Sequence, residues 1–145
     1  MRRRSLDELM AEASRGVERV DPARVRAEVE RGALIVDVRS PAARRRDGIV
    51  PGSLHLPLTV LPWRLEPGGR WRTPHVEEGA RVLVMCDRGY SSLLAAALLA
   101  ELGVDAANLE GGFAAWRDAG LPVRRCADSP LGADELQGLR PPEPG

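Results

Sequence analysis

The chain has 145 residues, long enough for one domain with a full hydrophobic core. With 43% hydrophobic and 29% charged residues it reads as globular, which excludes a disordered chain. Its 21 basic and 21 acidic side chains cancel, so no net field draws it to nucleic acid or to a membrane surface.

In chain order, Ser5 and Glu8 have capping-box spacing and predict a short N-terminal helix. In VDPARVRAEVERG, Asp21 suits an N-cap and Pro22 the first helical position. Val25 and Val29 share a face, and Gly32 ends the helix. Leu34 to Asp37 reads as a buried strand, Ser40 to Arg46 as a short helix, and Leu54 to Leu56 as a second short strand. A helical piece at Val60–Leu65 precedes a polar loop bearing glycine and proline, and Val82–Met85 is a strand. The helix expected over Ser92–Leu102 is apolar nearly all round, so other elements must cover much of it. A strand at Asn108–Leu109 and a helix over Phe113–Ala119 follow, with Gly120 and Pro122 as the stop.

Strands alternating with helices predict an α/β fold: a central, mainly parallel sheet flanked by helices on both faces. The expected organisation is a helical extension over 1–20, one domain over 21–123 and a flexible proline-rich tail over 124–145.

All 21 basic residues are arginines, and alanine and glycine are abundant, a pattern of GC-rich coding that lowers the meaning of any arginine cluster. Cys86 and Cys126 are too few for a disulfide framework or for a zinc site of their own, and no organic cofactor pattern is visible. No apolar segment of signal-peptide length follows the basic start, and no run is long enough to span a membrane. The expectation is a cytoplasmic protein without metal or cofactor.

The most specific feature is RVLVMCDRGYSSLLAAALLAELG, in which an apolar strand stops at Cys86 and a helix starts a few residues later. Ligands gather at the carboxyl ends of strands in open parallel sheets. Backbone N–H groups of the loop and of the first helical turn lack intrahelical partners and can converge on an anion. Gly89 permits the tight curvature, Ser91 and Ser92 can cap the helix or donate to a ligand, and Arg88 adds a positive charge. Such a cradle lowers a thiol pKa from about 8.5 to about 3.5–7.5 and prepares a nucleophile for anionic, electrophilic substrates. The competing reading is a buried structural cysteine.

Four stretches in order resemble the rhodanese family of sulfurtransferases, over roughly Asp21 to Val123. LIVDVRS resembles the family's first strand and its Asp-Val-Arg turn. DGIVPGSLHLPL resembles the segment leading into the second strand, CDRGYSS the active-site loop, and GGFAAWRDAGLPV the closing signature. The resemblance implies a single rhodanese-like domain in which the Cys86 thiolate takes sulfane sulfur from a donor, forms a persulfide and passes it to cyanide or a thiol. Asp87, Arg88, Gly89, Tyr90, Ser91 and Ser92 would form the loop that binds substrate and persulfide. The implied partners are a small sulfur donor, a thiophilic acceptor and, for a carrier, a protein that exchanges persulfide sulfur.

The chain departs from the family pattern in places. Many single-domain members carry arginine sixth in the loop, where this chain has Ser91; the basic residue stands third, as Arg88, similar to thiosulfate-using members with a lysine there. Asp87 would oppose an anionic donor, so the loop implies sulfur transfer with thiosulfate only narrowly preferred. Gly48-Ile49-Val50-Pro51-Gly52 lacks the histidine often found there, and neither His55 nor His75 is assigned a role as base. Trp63 and Arg64 fall near the expected rim, where a wall and an anion contact compete with a packed turn and a solvated arginine. Asp37 and Arg39 are expected to support the loops through an ion pair or hydrogen bonds rather than to take part in the chemistry, and Trp116 to lie in the core. Cys126 is read as a bystander rather than a resolving thiol.

Two rivals remain. A cysteine phosphatase would need an arginine six residues after Cys86, where Ser92 stands. A protein-interaction module or a persulfide carrier is the stronger rival, weakened by the retained cysteine. A serine hydrolase is excluded, because Gly89-Tyr90-Ser91-Ser92-Leu93 lacks the second glycine of a nucleophile elbow.

Overall fold

The computed structural model describes residues 2–126. In chain order the elements are α1 (Leu6–Gly16), β1 (Arg19–Val20), α2 (Pro22–Glu30), β2 (Leu34–Asp37), α3 (Pro41–Asp47), β3 (Leu54–His55), α4 (Leu61–Leu65), β4 (Arg81–Met85), α5 (Ser91–Glu101), β5 (Asp105–Leu109) and α6 (Gly112–Asp118). The five strands form one sheet in the order β1-β5-β4-β2-β3, and every pair is parallel. The catalytic candidate therefore ends the central strand of an α/β sheet, as the sequence pattern requires.

Local chemistry accounts for the helix starts. The Ser5 hydroxyl accepts from the Glu8 N–H at 3.0 Å and closes the capping box of α1. Asp21 caps α2 through the Arg24 N–H, with Pro22 in the first turn. Ser40 caps α3 in the same way through Ala43, with Pro41 behind it. The expected shared face of α2 is only half realised: Val25 is fully buried, whereas Val29 is 38% exposed, in the last turn before the helix ends.

Side chains alternate across the sheet and divide the core in two. Val82, Val84 and Cys86 face α1, α4 and α5, while Leu83 and Met85 face α2 and α6. Val36 and Ile35 divide the same way on β2. This alternation sends the Cys86 side chain toward α5. The all-round apolar character of α5 has a direct cause, since it packs on β4 and β5 and is covered by α1 and α4.

The residues ahead of Asp21 contribute α1, which lies on α5, and β1, an edge strand paired to β5 that sequence periodicity did not reveal. At the other end, Arg124 forms an antiparallel bridge with Ile49, N–H to carbonyl in both directions. The rest of the expected tail, from residue 127, lies outside the described residues. Among the described residues, no helix is long and apolar enough to cross a membrane.

Candidate active site

Cys86 follows the last residue of β4 and is 7% exposed. Its sulfur accepts a hydrogen bond from the Gly89 N–H at 3.1 Å and lies 3.1 Å from the Ser92 hydroxyl. Burial pushes the thiol pKa up, but hydrogen bonds from the Ser91 and Ser92 hydroxyls and from the Ser92 and Arg88 N–H groups outweigh it. The net shift is downward. The groups that lower it are all uncharged, so the cradle works by donors rather than by a neighbouring cation. The Arg88 side chain, expected to add a positive charge within the loop, is exposed. Of the two parts open to the serines, α5 shows no side-chain cap, and the Ser92 hydroxyl lies between the sulfur and Asn108.

The loop takes this shape because α6 docks on its back. Phe113 N–H donates to the Cys86 carbonyl at 2.9 Å and Ala114 N–H to the Asp87 carbonyl at 3.0 Å. In a trans peptide the carbonyl and the following N–H point in opposite directions. Drawing the Asp87 carbonyl toward α6 therefore fixes the turn from which the Gly89 N–H reaches the sulfur. Close approach depends on glycine: a Cβ on Gly112 would stand 2.5 Å from the Cys86 carbonyl oxygen, and one on Gly89 2.9 Å from the Gly111 nitrogen. Both residues also have positive φ, +65° and +90°.

A residue without an assigned role in the sequence completes the site. Asn108, 2% exposed on β5, accepts from the Ser92 hydroxyl at 2.5 Å and donates through Nδ2 to the Gly89 carbonyl at 3.0 Å. The available signal was an asparagine among the apolar residues Ala106, Ala107 and Leu109, in the strand beside the catalytic one.

The supporting residues fall in three places. Asp37 is fully buried and accepts from the Arg39 N–H, Nε and Nη2 and from Arg44 Nε, at 2.9–3.2 Å. Arg39 also donates to the Gly48 carbonyl and lies 3.9 Å over the Phe113 ring. His55 Nε2 sits 2.7 Å from the Arg39 carbonyl. This cluster ties β2, α3 and α6 together at the loop end of the sheet. Arg64 is 3% exposed and donates to the Trp71 carbonyl at 2.6 Å, while Trp63 beside it is 60% exposed. Burial lowers the Arg64 pKa from its ordinary value. Trp116 is buried, as expected, and donates to the Pro122 carbonyl.

Behind the loop, Arg46, Asp47, Asp87, Arg88, Phe113 and Arg117 line a cavity of about 250 Å³. A larger one of about 560 Å³, between α1 and α5, includes no residue of the cysteine loop. Among the described residues no group of His, Cys, Asp or Glu could hold a metal ion. Cys126 is free and half-buried, two residues beyond the Ile49–Arg124 bridge.

A family model for the rhodanese-like domain matches residues 21–119. A sulfurtransferase from Allochromatium vinosum is 33% identical over 91 residues, 62% of this chain and 77% of that protein. A protein of unknown function from Rhodopseudomonas palustris CGA009, described as a possible tyrosine phosphatase, matches with TM-score 0.76 at 32% identity. The match covers 86% of this chain and 97% of that one. A thiosulfate sulfurtransferase from Pseudomonas aeruginosa shares the fold, with TM-score 0.61 and 23% identity over 75% of this chain and 19% of that one.

Proposed function

Because the chain belongs to the rhodanese family, we propose that it is a sulfurtransferase that works through a persulfide on Cys86. One observation carries the reading: a buried thiol at the end of the central strand is surrounded by neutral donors that shift it toward thiolate. The thiolate attacks the outer, sulfane sulfur of a donor. With thiosulfate, the preferred donor, the S–S bond breaks, sulfite leaves with the bonding pair, and Cys86 keeps the sulfur as a persulfide anion. A thiolate or cyanide then attacks that outer sulfur, and the Cys86 thiolate is regenerated. Splitting the transfer into two displacements replaces one difficult step with two easier ones. The loop N–H groups hold the negative charge in both states. Cys86 must stay reduced for this, which a compartment such as the cytoplasm provides.

The phosphatase description attached to one structural relative does not transfer. That chemistry clamps phosphate bidentately with an arginine. At the position where it would stand, Ser92 is fully buried and bonded to Cys86 and Asn108. A second reading, a persulfide carrier for a protein partner, is favoured by one feature: Tyr90, inside the loop, is 70% exposed.

Intact mass after incubation with thiosulfate, mercaptopyruvate and a protein persulfide tests both readings. A gain of one sulfur, lost in Cys86→Ser and kept in Cys126→Ser, is expected. Loading by the protein donor alone would favour the carrier. No gain with any donor would refute sulfur transfer.

A further inference from the structure

Ser92 has one hydroxyl proton and two claimants for it. Its oxygen lies 3.1 Å from the Cys86 sulfur and 2.5 Å from Asn108 Oδ1. The Asn108 amide cannot turn away without loss, because its Nδ2 is held by the Gly89 carbonyl at 3.0 Å. Its acceptor oxygen is thereby fixed on Ser92. While Cys86 is a thiol, the chain of donors closes: S–H donates to Ser92, and Ser92 donates to Asn108. Once the thiol proton is lost to solvent, the sulfur has nothing to donate and needs donors itself. Ser92 can serve it only by rotating its proton away from Asn108.

We propose that Asn108 is a positioning residue that competes with the Cys86 thiolate for the Ser92 proton and so favours the states in which the cysteine sulfur is uncharged. There are two such states, the thiol and the persulfide. In the persulfide the negative charge lies on the outer sulfur, Sγ is a neutral bridging atom, and the Ser92 proton returns to Asn108. No bond to a heavy atom changes in this switch; a hydroxyl rotates. The persulfide half rests on the sulfurtransferase reading, and the thiol–thiolate half does not. The charged residues on the surrounding elements are Asp87 and Arg88 in the loop, Asp37 and Arg39 around the end of β2, Arg64 on α4, Arg81 on β4, Glu101 on α5, Asp105 and Glu110 on and after β5, and Arg117 and Asp118 on α6. They are the same in every protein compared below, so they do not produce the expected differences.

Asn108 is the only asparagine in the chain, so asparagine labelled with ¹³C and ¹⁵N gives one side-chain amide signal set needing no assignment. These signals are followed against pH, with thiolate absorbance near 240 nm recorded in parallel and that of Cys86→Ser subtracted. The Asn108 signals are expected to move with the midpoint of Cys86 and to stay flat in Cys86→Ser and in Ser92→Ala. Signals that ignore the Cys86 titration, or that move equally in Ser92→Ala, would overturn the proposal. Asn108→Leu supplies the energetic counterpart. It is expected to raise the thiolate-to-thiol ratio about three- to ten-fold, one hydrogen bond's worth, in the Ser92 background and not in Ser92→Ala. An equal effect in both backgrounds would reduce Asn108 to a brace. After sulfur loading verified by mass, the signals are expected at their thiol positions even at a pH where the unloaded protein is thiolate. Signals at the thiolate positions would overturn the persulfide half. If no persulfide forms, the sulfurtransferase reading fails while the titration still decides the part played by Asn108.

Discussion

Gly112→Ala probes the joint between α6 and the cysteine loop. A methyl group there would meet the Cys86 carbonyl oxygen at 2.5 Å, the Arg88 nitrogen at 2.7 Å and the Asp87 carbonyl carbon at 2.7 Å. All three are backbone atoms, so no side chain can swing aside; the loop and helix must separate. The positive φ of +65° adds strain of its own. Gly79→Ala is the matched control, with φ +82° and nothing within 4 Å of the new methyl. Left-handed strain costs each variant about 1–3 kcal/mol. Forced separation costs Gly112→Ala about 1–3 kcal/mol more, a further fall in Tm of about 3–15 °C for a chain of this size. Separation also releases the Asp87 carbonyl from Ala114 and loosens the turn that aims the Gly89 N–H at the sulfur. The thiol pKa should then rise, and alkylation of Cys86 by iodoacetamide at neutral pH should slow. Thermal melts and alkylation rates, measured in a Cys126→Ser background, check both effects. Equal melting and equal alkylation in the two variants would refute the claim that α6 shapes the loop.

The pH dependence follows from the lowered Cys86 pKa. Its alkylation rate should climb with a midpoint below the ordinary thiol value of about 8.5. In the window between the folded and unfolded thiol pKa values the unfolded chain binds more protons, so stability rises with pH and is lost as pH falls through the folded pKa. Denaturation at a series of pH values should show this slope flattened in Cys86→Ser. Asp37→Asn leaves the buried Arg39 and Arg44 guanidinium groups without their shared carboxylate and should cost about 3–5 kcal/mol in urea unfolding. At the opposite end of the central strand from Cys86, Arg81 binds Glu18, Glu28 and Asp105 at 2.8–3.1 Å. Arg81→Met should lower stability in dilute buffer by about 1 kcal/mol or less per exposed pair, read as a fall in Tm. In high salt the loss should shrink, and an unchanged loss would show that packing, not charge, is responsible.

The legible parts of the sequence were those written in local chemistry. Ser5, Asp21 and Ser40 each stand three residues before the N–H they cap, a spacing that can be read directly. The strand that ends in Cys86 announces itself by four apolar residues and a sudden loop. β1 was not legible because two residues carry no period, and its pairing to β5 spans nearly ninety positions of chain. Arg64 and Trp63 were misleading in another way. Neighbours in sequence, they part company in space, one buried on a carbonyl and the other in solvent.

The site divides along the same line. Cys86 and the loop glycine could be found by asking where a parallel sheet presents its strand ends. The direction of each N–H could not, because it is set from behind, by α6 drawing two loop carbonyls and by Asn108 drawing a third. Two adjacent glycines, Gly111 and Gly112, and an asparagine between Ala107 and Leu109 are the marks these partners leave in the sequence. A thiol cradle built of neutral donors makes such partners decisive. A cation acts over several ångströms and tolerates misplacement, whereas an N–H donor weakens steeply once it is misaimed. The nucleophile of this chain is therefore specified as much by the residues that aim its loop as by the cysteine itself.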